Sequence, residues 1–200
     1  MSSPSLTPPG DLTARARIRN EAFSLYAIQG EERVSMRAVA AAAGVTIGLV
    51  QHHFGTKEGL RRSVDEYVVE HFVEALAGVE HTGTAAEVVA ARDGAVRTML
   101  QENPLVVRYL LRMLLEPETR GAFVLGQLVD LTVQEIRRLR EAGFASTTTP
   151  EPVQVVRTIL GQIGEHALEP MVGAVWKRVG GSDADRPRTE ITVVQPDAEG

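Results

Sequence analysis

The sequence predicts an all-α protein: a three-helix head carrying a helix-turn-helix, followed by a larger helical bundle. Three observations predict it. Apolar residues recur at helical spacing along most of the chain. β-Branched residues in period-two alternation are confined to Thr189–Val194. Glycines and prolines fall between the helical stretches, where they end helices.

The elements follow in chain order. Residues 1–12 are rich in Ser and Pro and read as a flexible N-terminal segment. The first periodic helix runs from about Leu12 to Gln29, with Ile18, Ala22, Phe23, Leu25 and Tyr26 on its apolar face. Arg15, Arg17 and Arg19 lie near its start, away from that face. Asp11 or Thr13 can cap it, and Gly30 can end it in the left-handed conformation. Ser35 can cap a short helix from Met36 to Ala42 or Ala43, its hydroxyl accepting from a free N–H of the first turn. Gly44 follows, then a second short helix from Ile47 to His53. Lys57–Leu60 opens a longer helix to about Leu76, and Gly78 and Gly83 mark a break.

A helix over about Ala85–Gln101 comes next. Asn103 can cap another that starts at Pro104, where the missing N–H costs nothing, and Pro117 ends it. The segment Glu118–Glu141 should bury Leu125, Leu128, Val129, Thr132, Ile136 and Leu139. Its last turns hold Arg137, Arg138 and Arg140, favourable against the helix dipole. After a Gly143–Pro150 loop, a final helix covers Pro152–Val179, with a kink or break expected at Pro170. Thr189–Val194 reads as an appended tail or lone strand. The expected division is a head at 13–60, a body at 61–179 and a tail at 180–200.

Composition narrows the function. At 44% hydrophobic residues the 200-residue chain can fill a core. The absence of cysteine excludes disulfides, thiolate metal sites and cysteine nucleophiles, and fits a cytoplasmic protein. No signal peptide and no stretch of membrane-spanning length is visible, so no membrane partner is expected. The net charge of −5 is unevenly spread: residues 1–62 hold eight Lys/Arg against five acids, and the rest is acidic. A basic head on an acidic body suits a head that meets phosphate.

Residues 35–54, SMRAVAAAAGVTIGLVQHHF, carry the main functional signal. A helix-turn-helix needs a small residue where its helices cross, a glycine at the turn and an apolar anchor on the second helix. Ala40, Gly44 and Val50 stand at those spacings, with Val45 and Phe54 extending the anchor. At roughly 100° per residue, Val50 pointing inward turns Gly48 and His52 outward, flanked by Leu49 and Gln51. Gly48 permits close approach to DNA. Gln51 can bond bidentately to adenine, Leu49 can touch a thymine methyl, and His52 can reach a phosphate or a base. Ser35, Arg37, Thr46 and Lys57 suit phosphate contacts that fix register, and Ile47 lies beside the reading face.

These residues, 13–60 together, resemble the N-terminal domain of the TetR family of bacterial regulators. The likeness rests on Gly30, Ser35-Met-Arg37-Ala-Val39-Ala40, Ala43-Gly44-Val45-Thr46, His52-His53-Phe54 and Lys57-Glu58-Gly59-Leu60. Ile47, Leu49 and Gln51 depart from residues common in the family, so no operator sequence can be borrowed from a relative. The resemblance implies a homodimer on a palindromic double-stranded operator, and a body that both dimerises and binds an unidentified small-molecule effector. A repressor released by that effector is the implied function, through a population shift between head positions. Met99, Tyr109, Met113, Phe123 and Gln127 are candidate effector contacts. Gly161, Gly164 and Leu168 share a face of the last helix and are candidates for the dimer interface. Arg108 and Arg112 can meet an anionic ligand, but a solvated face accounts for them more simply. His166 suits an intrahelical or interface polar role.

An enzyme is not expected. The sequence has no phosphate loop, nucleophile elbow or metal-ligand spacing among His52, His53, His71, His81 and His166, and no metal or other cofactor is implied. The remaining rival is a helical interaction protein that has lost DNA binding. Ile47, Leu49 and Gln51 would fit it; Arg37 and Lys57 oppose it.

Overall fold

The computed structural model describes residues 14–114, 122–187 and 189–193. They form eight helices: α1 (Ala14–Gln29), α2 (Met36–Ala42), α3 (Ile47–Phe54), α4 (Lys57–Ala77), α5 (Ala85–Glu102), α6 (Pro104–Leu114), α7 (Ala122–Glu141) and α8 (Glu151–Arg178). Short 3-10 turns lie at Glu31–Arg33 and Asp183–Asp185, and no strand occurs among the described residues. The all-α expectation holds. Two compact units result: residues up to Val73 with Glu102–Gly126, and Glu74–Gln101 with Gln127–Gly200. The first therefore takes in α6 as well as the head, because α1 packs more extensively on α6 than on α2 or α3.

In the first unit the core is Ile18, Ala22 and Tyr26 of α1, Val39 and Val50 of the helix-turn-helix, Leu60, Val64 and Val68 of α4, and Val106, Tyr109 and Leu110 of α6. Each large apolar side chain here contributes about 1.5–3 kcal/mol by leaving water. Leu25 is only half-buried, and Ala27 takes the inward place beside Tyr26. Gly30 ends α1 with φ 85°, as its missing Cβ allows, but with ψ 143°. The chain thus leaves extended, not in the left-handed helical geometry expected.

The second unit is held by polar ties as well as apolar packing. Arg92, almost wholly buried on α5, pairs with Glu135 of α7 and donates to His81 Nε2 at 2.8 Å. Burial lowers the Arg92 pKa. Thr84 and Glu87 form a reciprocal cap at the start of α5: Thr84 N donates to Glu87 Oε2 at 2.8 Å and Glu87 N to Thr84 Oγ1 at 3.3 Å.

On α7, Val124, Leu128, Ile136 and Leu139 are buried, whereas Leu125, Val129 and Thr132 are half-buried. The three arginines near its end do more than meet the dipole. Arg137 pairs with Glu151 at 2.9 Å, Arg138 with Glu135 at 2.9 Å, and Arg140 reaches Gln154 at 2.9 Å and the Thr149 carbonyl at 2.5 Å. Of the kink or break expected at Pro170, the break does not occur: α8 runs continuously through it. Thr189–Val193 forms no strand. Instead this segment lies along α8: Ile191 meets Gly164, Arg157 Nε donates to the Val193 carbonyl at 3.1 Å, and Arg186 pairs with Glu169 at 2.7 Å. The caps expected from Asp11 and Thr13 and the stop at Pro117 lie outside the described residues.

Candidate nucleic-acid interface

The helix-turn-helix is assembled by local chemistry. Ser35 caps α2, its Oγ accepting from Ala38 N at 3.1 Å. The turn closes with Val45 N donating to the Ala40 carbonyl at 2.9 Å, across Gly44 at φ 65°. Thr46 caps α3, accepting from Leu49 N at 3.3 Å. Val50 has no exposed surface and Phe54 is also buried, so α3 is pinned by the residues its spacing nominated.

The turn into α4 is tighter. Thr56 Oγ1 accepts from Gly59 N at 3.1 Å, and a Cβ at Gly59 would stand 2.1 Å from the Phe54 carbonyl oxygen. Only glycine lets the first turn of α4 lie against the end of α3.

With Val50 inward, Gly48, Gln51 and His52 are exposed, and Ile47 and Leu49 are half-buried beside them. Ser35, Arg37 and Thr46 are exposed as well. The Ser35 and Thr46 oxygens accept from their own helices, which leaves each O–H free to donate outward. Lys57 is half-buried, its Nζ 3.5 Å from the Glu32 carbonyl, a long contact that phosphate can replace. His53 is half-buried between the His52 and Phe54 rings.

Sequence reasoning missed the polar cluster behind this surface. Asp65 of α4, fully buried, accepts from Tyr109 Oη of α6 at 2.5 Å and pairs with Arg61 at 2.6 Å. Arg61 also binds Glu58 at 2.5 Å. Burial pushes the Asp65 carboxyl up to about 6, against the opposing pull of the Tyr109 hydroxyl and Arg61. Burial, and the Asp65 charge beside it, also raise the Tyr109 pKa. The hydrogen bond to Arg61 lowers that of Glu58. Arg112 is exposed, as expected, and its Nε and NH2 also donate to the Ala27 and Ile28 carbonyls at 3.1 and 2.9 Å, closing the C-terminal end of α1. The i, i+4 spacing of Arg61 and Asp65 was the available signal for part of this. Nothing local pointed to Tyr109.

The other candidates are dispersed. Met99, Tyr109 and Met113 are buried, and Phe123 and Gln127 half-buried. Tyr109 spends its hydroxyl on Asp65, and Arg62 lies over the Phe123 ring at 5.3 Å. Gly161, Gly164 and Leu168 are half-buried on α8; Gly164 is met by Ile191, while Gly161 faces open space. His166 Nδ1 bonds the Gln162 carbonyl at 2.9 Å, an intrahelical contact as expected. No cluster of three or more metal-ligating side chains occurs among the described residues, and no described helix is long and apolar enough to cross a membrane.

An exposed reading helix, fixed by a capped turn to a buried anchor, defines a helix-turn-helix protein. Residues 18–64 match the model of the bacterial regulatory proteins of the tetR family. Over this stretch the chain is similar to the DNA-binding domain of that family. It is 53% identical over 60 residues to the HTH-type transcriptional regulatory protein RaaS of Mycobacterium tuberculosis, a stretch that is 30% of this chain and 28% of that protein's length.

The fold likeness reaches further. A putative tetR family regulator from Shewanella sp. PV-4 matches with a TM-score of 0.67 and 20% identity, over 84% of this chain and 91% of that one. A transcriptional regulator from Rhodococcus sp. Rha1 matches with a TM-score of 0.61 and 26% identity, over 82% and 87%. All three of these proteins are described as regulators.

Proposed function

We propose that the protein is a cytoplasmic, homodimeric repressor that binds a palindromic operator and leaves it when a small-molecule effector binds. The observation that carries DNA recognition is the exposed face of α3, with Gln51 and His52 around Gly48 and Val50 fixed beneath. Gln51 reads a base and Leu49 a thymine methyl, while Ser35, Arg37, Thr46 and Lys57 hold phosphates.

Dimerisation is supported by α8. Val156, Leu160, Met171, Val175 and Val179 are exposed at helical spacing along it, a stripe that water disfavours. A palindromic operator offers two half-sites about 34–36 Å apart, one for each copy of such a dimer.

Selection from a random duplex library, followed by anisotropy over a salt series, tests the proposal. A palindromic winner whose affinity falls steeply with salt and with Gln51→Ala supports it. No enriched sequence and only weak binding at low salt would sink it, and would favour a helical interaction protein.

A further inference from the structure

We propose that a cleft between α5 and α8 binds a small zwitterion of the amino-acid type. As the effector's seat it rests on the effector-release function above; as a binding site it can be tested without DNA. The cleft has a volume of about 240 Å³. That is below the roughly 300–1,000 Å³ typical for drug-sized ligands, so its occupant is small.

Its lining sorts the occupant by charge. From α5 come Asp93 and Arg97, four residues apart on one face; from α8 come Arg157, Gln162, Glu165 and His166. Gln162 Nε2 donates to Asp93 Oδ1 at 3.1 Å, and Arg97 lies 3.6 Å from Glu165. Much of this capacity is unspent. The Arg97–Glu165 pair is longer than a hydrogen bond. Arg157 uses Nε on the Val193 carbonyl, and its terminal nitrogens have no partner among the described residues. The same holds for Asp93 Oδ2 and, with Nδ1 on the Gln162 carbonyl, for His166 Nε2.

Two guanidinium groups and two carboxylates leave the cleft without net charge but with open donors and open acceptors. An anion alone would meet Asp93 and Glu165, and a cation alone would meet Arg97 and Arg157. An apolar ligand would strip water from all four charges. A carboxylate and an ammonium on one small molecule satisfy both sets.

Gly161 makes the room. A Cβ there would meet nothing within 4 Å, so packing inside the chain does not require glycine, although glycine weakens a helix interior. A larger side chain at 161 would project into the cleft that this residue lines.

The experiment is calorimetric titration of the full chain with each proteinogenic amino acid. Any ligand found is repeated as its carboxamide and its N-acetyl derivative, with oleate and tetraphenylphosphonium as apolar probes. The expected result is a saturable site for at least one amino acid, weakened by about tenfold or more on blocking either charged end. Arg157→Gln and Gly161→Leu should each weaken it similarly. Gly161→Leu removes no charge and favours helix, so a variant that circular dichroism shows folded and that no longer binds speaks for the cleft itself.

Absence of binding by every amino acid, or binding indifferent to Gly161→Leu, would overturn the inference. Anisotropy on operator DNA separates the two readings. An amino acid that binds through the cleft without changing DNA affinity leaves the site standing and removes the effector role. Release of DNA by an apolar probe, with no amino acid binding, does the reverse.

Discussion

The phenolic hydroxyl of Tyr109 on α6 donates to the carboxylate of Asp65 on α4 at 2.5 Å, at a point where Asp65 has no exposed surface. Arg61 holds the other carboxylate oxygen at 2.6 Å. α4 follows the reading helix directly, so this bond fixes α6 to the element on which α3 depends. Tyr109→Phe keeps the ring and removes the donor. It should cost about 1–3 kcal/mol, the usual penalty for leaving a buried polar group short of a partner. Urea denaturation measures it; a loss within about 0.5 kcal/mol, ordinary for a surface change, would mean that the bond contributes little.

The same carboxylate should set a pH dependence. Burial raises the folded-state value of Asp65 to about 6 from 3.8, so between those values the folded chain binds more proton than the unfolded one. This group's contribution is then fully present below about 3.8 and is lost as pH rises through about 6. Glu58, whose folded value is lowered by Arg61, works in the opposite sense at the acid end. Asp65→Asn isolates the first effect. Relative to the unsubstituted protein, the variant should gain on the order of 2 kcal/mol of stability between pH 4 and pH 7. Parallel stability curves for the two proteins would contradict the elevated value.

Gly59 should tolerate no side chain. A Cβ would lie 2.1 Å from the Phe54 carbonyl oxygen, and that atom is backbone, so nothing flexible can yield. Gly59→Ala should therefore cost about 1–3 kcal/mol, as overpacking does, despite alanine's better helix propensity. DNA affinity should drop further than stability does, because the strain falls on the junction that aims α3. Gly78→Ala, in open space, is the control. Equal thermal stability of Gly59→Ala and the parent would rule the account out.

The head was legible because its determinants are local. Ser35 and Thr46 cap the helices they precede, Gly44 turns with positive φ, and Val50 is buried, all at spacings the chain displays. The cluster behind it was not, because Asp65 and Tyr109 are 44 positions apart and only packing brings them together. Arg112 is exposed as read, but its bonds to α1 went unseen because the partners are backbone carbonyls 84 and 85 positions away. At Pro170 the break did not occur: α8 continues through it, the lost hydrogen bond notwithstanding. The Thr84–Glu87 cap, by contrast, was written plainly as T-x-x-E.

On DNA, Gln51 and Lys57 should fail differently. Gln51→Ala should cost about 1–3 kcal/mol and relax preference at one base of each half-site, since an exposed amide can bond adenine bidentately. Lys57→Ala should weaken binding evenly across sequences and shrink the salt slope by about 1 per half-site, because its partner would be a phosphate. Anisotropy on the selected operator and single-base variants distinguishes them. A uniform loss for Gln51→Ala would move base reading to another residue of α3.

The apolar stripe on α8 should hold two copies together. Leu160 is 48% exposed, Met171 57% and Val175 56%, far more than isolated helix packing needs, and they recur on one side of the helix. Ile191 already covers Gly164 from the same chain, so the stripe beyond that glycine is what remains for a second copy. Leu160→Glu and Met171→Glu, alone and together, place charge where a partner's apolar face would sit, at little cost to a folded monomer because both sites face water. Sedimentation should show a dimer for the parent and a monomer for the double variant. Operator affinity should fall as well, since one head reads only half of a palindrome. A parent that sediments as a monomer at micromolar concentration, or a double variant that stays dimeric, would place the interface elsewhere.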